Sequence, residues 1–249
     1  MDETIETPLD KWMLQEEVGE GTIAGDTEMT SPMFRSPPRE LRLLLVGWQG
    51  SGKSSAGNII LGERKFETGQ TEVSSRRQAH VNGRRVTIVD TPGWDWFSVQ
   101  RTPRHVRKEI KRGVGLLYPG PHALLLVIPV ISTLTSRKKR ALSSHLEMFG
   151  KDAFLHTMIL FSCGDWLGGT PIEEHLQNDD GELISLISHC LNNYHVLDST
   201  NAKKGQEQVC QLLLKVEEMV AQNKEQPFLP VKLYEEQEDE ALCTKCALQ

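Results

Sequence analysis

Eight consecutive residues, Gly47-Trp48-Gln49-Gly50-Ser51-Gly52-Lys53-Ser54, follow the pattern G-x-x-x-x-G-K-[ST], a spacing suited to holding phosphate. Glycines let the backbone fold until successive N–H groups point at phosphate oxygens. The start of a following helix adds the positive end of its dipole. On this reading Lys53 brings a point charge to the β- and γ-phosphates, the Ser54 hydroxyl ligates Mg²⁺, and Ser55 continues the nucleotide-binding stretch.

Two further stretches extend the site. Asp90-Thr91-Pro92-Gly93 follows the apolar segment Val86 to Val89. A carboxylate at the C-terminal end of a strand is placed to support a Mg²⁺ ion, and the Gly93 N–H is placed to sense a γ-phosphate. Ser162-Cys163-Gly164-Asp165 follows a second apolar segment, Thr157 to Phe161. The Asp165 carboxylate can accept from N1–H and the 2-amino group of guanine, a donor pair that adenine lacks. Many GTPases carry Lys two residues before this Asp, where this chain has Cys163. An ATPase or kinase that tolerates adenine therefore stays open as an alternative.

The elements that must position these residues are legible from periodicity. Leu41 to Val46, Ala123 to Ile128 and Thr157 to Phe161 are short apolar runs, as expected of strands buried on both faces. Gln78 to Val81 and Arg85 to Val89 flank Asn82-Gly83, a strong hairpin signal. Helical spacing runs from Ser54 to Leu61, from Thr102-Pro103 toward Gly113, from Thr135 to Phe149, from Gly181 to Leu191 and from Gln206 to Val220, with a short strand at Tyr194 to Leu197. Strands separated by helices predict an α/β fold with a mostly parallel sheet flanked by helices. With the phosphate motif on the first strand–helix turn, the class is a P-loop NTPase.

Charge divides the chain of 249 residues, whose net charge is −6. Residues 1–40 hold ten acids and three bases, residues 41–222 hold 18 and 22, and residues 223–249 hold six and three. The first segment lacks sustained periodicity and is expected to be a disordered acidic tail, and the last an acidic C-terminal tail. Mild net acidity argues against non-specific nucleic-acid binding. Met1-Asp2-Glu3-Thr4 has no basic or apolar leader character and the five cysteines are an odd number, which fits a cytoplasmic location.

Together these residues resemble the GTPase of immunity-associated protein (GIMAP) family. The resemblance rests on GWQGSGKSSAGNIILG at 47–62, VDTPGWDW at 89–96, PGPHALLLVIPV at 119–130, HTMILFSCGDWLG at 156–168 and NNYHVLD at 192–198, and is strongest to the fish-like branch. It implies a Ras-like G domain over 41–222 that binds GTP and GDP with Mg²⁺. It further implies nucleotide-controlled self-association with G domains of the same family, at the cytosolic face of intracellular membranes. The family's Mg²⁺-capping switch Thr is best matched by Ser74, with Thr71 second. Its final base loop, commonly Asn-Asn, reads Asp198-Ser199, so Asp198 takes the base-contacting place.

In Ras-like enzymes a Gln after the D-x-x-G glycine orients the attacking water, but here that residue is Trp94. Gln49 is a substitute candidate, with a plain solvent-facing role as the alternative. Slow hydrolysis is expected, and a catalytically inactive pseudo-GTPase scaffold is the rival. Trp94, Trp96 and Trp166 suit either self-association or local packing. Arg137-Lys138-Lys139-Arg140 reads as a solvated face. The end Cys246-Ala247-Leu248-Gln249 matches a C-a-a-X prenylation signal, with Cys243 a palmitoylation candidate. A free tail and half of a zinc site are the alternatives.

Overall fold

The computed structural model describes residues 40–177, 181–198, 202–224 and 226–229. The N-terminal tail, the acidic run 235–240, Cys243 and Cys246 lie outside the described residues.

Six strands make one sheet: β1 (Glu40–Val46), β2 (Ser75–Val81), β3 (Arg84–Asp90), β4 (Ala123–Pro129), β5 (Thr157–Ser162) and β6 (Tyr194–Val196). Their order is β2-β3-β1-β4-β5-β6, with only β2 antiparallel to its neighbour. The β2–β3 hairpin turns at Asn82 and Gly83, both with positive φ (48° and 76°), as a two-residue turn with right-handed strand twist requires. β1 is central, with Leu44 opposite Val89 on one side and Leu124 on the other.

The apolar run in β1 divides by parity, because alternate side chains leave opposite faces of the sheet. Leu41, Leu43 and Leu45 pack with Ile60 of helix α1 (Lys53–Leu61) and with Leu212 and Val216 of α6 (Ala202–Gln222). Leu44 and Val46 belong to the other layer, with Ile110 of α2 (Arg104–Gly115), Leu142 and Leu146 of α3 (Ser136–Glu147) and Leu186 of α5 (Glu182–His189). A strand with no polar face is therefore what two helical layers demand.

Several elements depart from the periodicity reading. β2 starts at Ser75 rather than Gln78, and α6 starts at Ala202 rather than Gln206. The short α4 (Ile172–Gln177) and the 3-10 turns at 99–101, 151–156 and 164–167 have too few residues to show a period. The packed core also runs past residue 222, since Phe228 is buried and its N–H donates to Pro121 O at 2.8 Å.

Two buried histidines give the fold a pH dependence. Burial, aided by the Arg42 guanidinium, lowers His122 from 6.5 to about 4, and burial with the Lys215 ammonium does the same to His195. The folded state holds both neutral, so their contribution is complete above pH 6.5 and is lost as pH falls toward 4. The loss is about 3 kcal/mol for each by pH 4. Urea unfolding is expected to show stability declining between pH 6.5 and 4, and His195→Leu is expected to remove about 3 kcal/mol of that decline.

Candidate functional site

The phosphate-loop sequence leaves the end of β1 and enters α1 at Lys53. Gly52 sits at the helix start with φ 90°, and a Cβ there would lie 3.2 Å from Ser162 Oγ, so the position has neither the conformation nor the room for a side chain. Ser162 closes the loop from below, its hydroxyl donating to Ser51 O at 2.8 Å. Lys53 is buried, and its Nζ donates to Trp48 O at 2.9 Å and Gly47 O at 3.3 Å. Burial lowers the amine from 10.5 to about 8, opposed by the nearby Asp90 carboxylate.

Asp90 ends β3 beside the loop. Ser54 Oγ donates to Asp90 Oδ2 at 2.6 Å, whereas the buried Oδ1 has no hydrogen-bond partner. Desolvation raises the Asp90 carboxyl above its ordinary range, opposed by the Ser54 hydrogen bond and Lys53. A buried carboxylate oxygen left unpaired is costly. A hydrated divalent cation on the Ser54 hydroxyl would supply what Oδ1 lacks, so the residues present fit Mg²⁺.

Gly93 lies against the loop itself. Trp94 N–H donates to Gly47 O at 3.3 Å and Gln49 N–H to Trp94 O at 3.2 Å, a one-residue parallel bridge. A Cβ on Gly93 would fall 2.4 Å from Gln49 Cα. Only glycine permits this approach, which brings the two phosphate-facing segments together.

A cleft of about 840 Å³ opens over these elements. Its wall brings together Gln49, Gly50, Gly52, Lys53, Ser54, Ser55 and Gly93 with the segment Thr68 to Val73. Ser74 is not part of it. Its hydroxyl donates to Glu109 O at 2.8 Å and its N–H to Glu109 Oε1 at 2.7 Å, turning it toward α2. Thr71, the second match, does line the cleft, so the structure favours Thr71 where the resemblance favoured Ser74. Asp165, on the 3-10 turn after β5, and Asp198, just after β6, lie outside this wall. They sit on neighbouring strand ends joined by Gly164 N–H donating to Leu197 O at 2.9 Å, and Asp198 N–H donates to Gln208 Oε1 at 2.8 Å.

The tryptophans separate into three roles. Trp94 is 2% exposed and stacks on the buried His145 at 4.6 Å, so its indole belongs to the core. Trp96 stacks on Trp48 of the phosphate loop at 4.8 Å, with Lys138 Nζ 4.3 Å from its ring centroid. Trp166 is 69% exposed. The stretch 137–140 is thus not simply a solvated face: Arg137 lies over Phe97 at 5.1 Å, Lys138 over Trp96, and Lys139 pairs with Glu182 at 3.0 Å. Rings and cations attract in this geometry, which a charge count along the sequence does not reveal.

Sequence reasoning missed Asp95, Arg101 and His105, which also line the cleft. Asp95 lies within the 89–96 stretch without a role assigned to it, and Arg101 and His105, which belong to no motif, arrive by a 3-10 turn and the first turn of α2.

Comparison with known proteins agrees with this architecture. The AIG1 family's sequence profile matches residues 41–247. Human GTPase IMAP family member 8 is 35% identical over 202 residues, covering 79% of this chain and 29% of its own length. Immune-associated nucleotide-binding protein 9 of Arabidopsis thaliana is 33% identical over 211 residues, covering 80% of this chain and 60% of its own. The chain thus spans less than two thirds of either relative, and under a third of the human one. Toc33 of Arabidopsis thaliana, solved with Mg²⁺ and GMPPNP, shares the fold with a TM-score of 0.58 at 17% identity, over 74% of this chain and 85% of that one. Era of Aquifex aeolicus, solved with GDP and aluminium fluoride, superposes with a TM-score of 0.50 at 16% identity, over 71% and 57%. With a P-loop GTPase fold, and with a family match over residues 41–247, the chain belongs to the AIG1 family of GTPases of immunity-associated proteins.

Proposed function

We propose that this chain is a guanine-nucleotide switch or scaffold that binds GTP and GDP with Mg²⁺ and hydrolyses GTP slowly. The observation that carries the reading is the Ser54–Asp90 pair at 2.6 Å with Asp90 Oδ1 unpartnered. Lys53 and the loop N–H groups hold the phosphates, Ser54 and Asp90 hold the cation and its water, and Asp165 selects the base. When bound there, Mg²⁺ would supply charge neutralisation to the phosphates. Slow turnover follows from Trp94, whose indole is 2% exposed and stands where a water-orienting carboxamide would be needed. The same observation favours the second reading, a nucleotide-binding scaffold without turnover.

Self-association through the G domain is supported by the fold shared with Toc33, of which a dimerization-deficient variant has been solved. Membrane attachment through Cys246 and Cys243, within an acidic tail that follows a G domain, completes the proposal. Titration of fluorescent GDP off the full chain by GTP and ATP tests its base selectivity. GTP is expected to displace at least 100-fold better than ATP, and Asp165→Ala is expected to remove most of that preference. Equal displacement by ATP in the unaltered chain would contradict it.

A further inference from the structure

Trp94 follows the D-x-x-G glycine and borders the cleft, but its indole is 2% exposed and stacked on His145, so no carboxamide stands at that position. A few residues on, Arg101 shares the cleft wall with Lys53, Ser54, Gly93 and Asp95. The loop that delivers Arg101 is tied at several points. Asp95 Oδ1 accepts from Phe97 N–H at 2.8 Å and Ser98 N–H at 3.1 Å, and Arg101 N–H donates to Ser98 O at 3.2 Å. Thr102 Oγ1 accepts from Asp95 N–H at 2.9 Å and pairs with Nε2 of the buried His145 at 2.8 Å, which fixes the loop to α3.

The Arg101 side chain itself is not a structural brace. It is 62% exposed, its Nε lies 3.8 Å from Asp95 Oδ2, and its guanidinium is 5.9 Å from the Phe97 ring centroid. A pair that exposed adds little stability. What the loop achieves is to hold a planar five-donor cation, always charged, in the wall of a phosphate site.

We infer that Arg101 is a catalytic residue acting in cis, donating to the terminal phosphate of GTP bound in the same chain. The inference rests on the nucleotide reading above. In the step it serves, a water oxygen bonds to the γ-phosphorus while the bond from that phosphorus to the β–γ bridging oxygen breaks. The electron pair stays on the β-phosphate of GDP, and the protons of the water pass to the released phosphate and to solvent. Arg101 stabilises the negative charge that shifts to these oxygens, and Asp95 is a positioning residue that steers the guanidinium.

Single-turnover hydrolysis by the full chain in excess over Mg·GTP tests this, with GDP affinity measured beside it. Arg101→Ala is expected to slow hydrolysis at least tenfold with GDP affinity within about threefold. Arg101→Lys, which lacks the planar fork, is expected to recover less than half of the loss. The unaltered chain is also expected to bind GDP with aluminium fluoride more tightly than GDP alone, and Arg101→Ala to lose that gain, which a merely structural role would not move.

A rate within twofold of the unaltered chain would overturn the inference. So would a defect that appears only at concentrations where the chain dimerises, since Arg101 would then act on a partner's nucleotide. A chain that binds GTP without turning it over overturns the inference and leaves the binding proposal standing. A chain that binds no guanine nucleotide overturns both.

Discussion

Lys53→Met is expected to weaken GDP and GTP binding at least 100-fold while leaving the melting temperature of the nucleotide-free protein within about 3 °C or higher. The opposed outcomes follow from where the amine sits. Holding an ammonium in a site that lowers it to about 8 costs the fold about 3 kcal/mol relative to water. That cost is already net of the attraction of Asp90, and the amine's other partners are two backbone carbonyls, Gly47 O and Trp48 O. Methionine fills the same volume without the charge, so the fold loses little. Phosphate binding loses a buried cation in a low-dielectric cradle, and a hundredfold change is about 2.7 kcal/mol. Scanning calorimetry beside nucleotide titration checks both halves. A melting temperature that fell by ~10 °C together with affinity would make the residue a structural one.

The second large effect is in the opposite sense. Trp94 occupies the position where Ras-like enzymes carry their water-orienting Gln, so Trp94→Gln looks on paper like a gain of catalysis. It is expected to destabilise the protein by about 3–5 kcal/mol and to leave hydrolysis no faster. The indole is 2% exposed, stacks on His145 at 4.6 Å and lies in the core layer with Leu142 and Leu146. Glutamine would leave a cavity and bury an amide there, and its backbone would still be pinned by the bridge to Gly47 and Gln49. At roughly 2–4 °C per kcal/mol for a chain of this size, the melting temperature is expected to drop by about 6–20 °C. A stable variant with accelerated turnover would show that residue 94 can swing into the cleft.

These cases mark the boundary of what the sequence reveals. The phosphate loop was legible because its chemistry is local: a strand, eight residues and a helix contain nearly every group involved. The β2–β3 turn was legible for the same reason, since Asn82-Gly83 has the conformational freedom the turn needs. The central strands could be read because burial on both faces leaves a continuous apolar run. Residue identity at 94 predicted a missing catalytic group, but not that the indole would stack on His145, a contact made across 51 residues of sequence.

The choice between Ser74 and Thr71 also depended on a distant partner. Ser74 is drawn away by Glu109 of α2, a helix whose register against β2 no local pattern encodes. Arg101 and His105 reach the cleft by a 3-10 turn and a helix start, elements without a period to detect. The aromatic and cationic ladder of Trp48, Trp96, Phe97, Arg137 and Lys138 joins three separate segments. Each segment alone looked like loop or solvated face.

The proposed function stands on a Mg²⁺-dependent guanine-nucleotide site built on Lys53, Ser54, Asp90 and Asp165. Calorimetric titration of nucleotide-free full chain with GDP, GTP and ATP, each with Mg²⁺ and again with the metal chelated, tests it most directly. One site per chain is expected, micromolar or tighter for GDP and GTP, weakened at least tenfold for GTP by chelation and at least 100-fold weaker for ATP. No binding heat with either guanine nucleotide, or affinities for GTP and ATP that coincide, would contradict it.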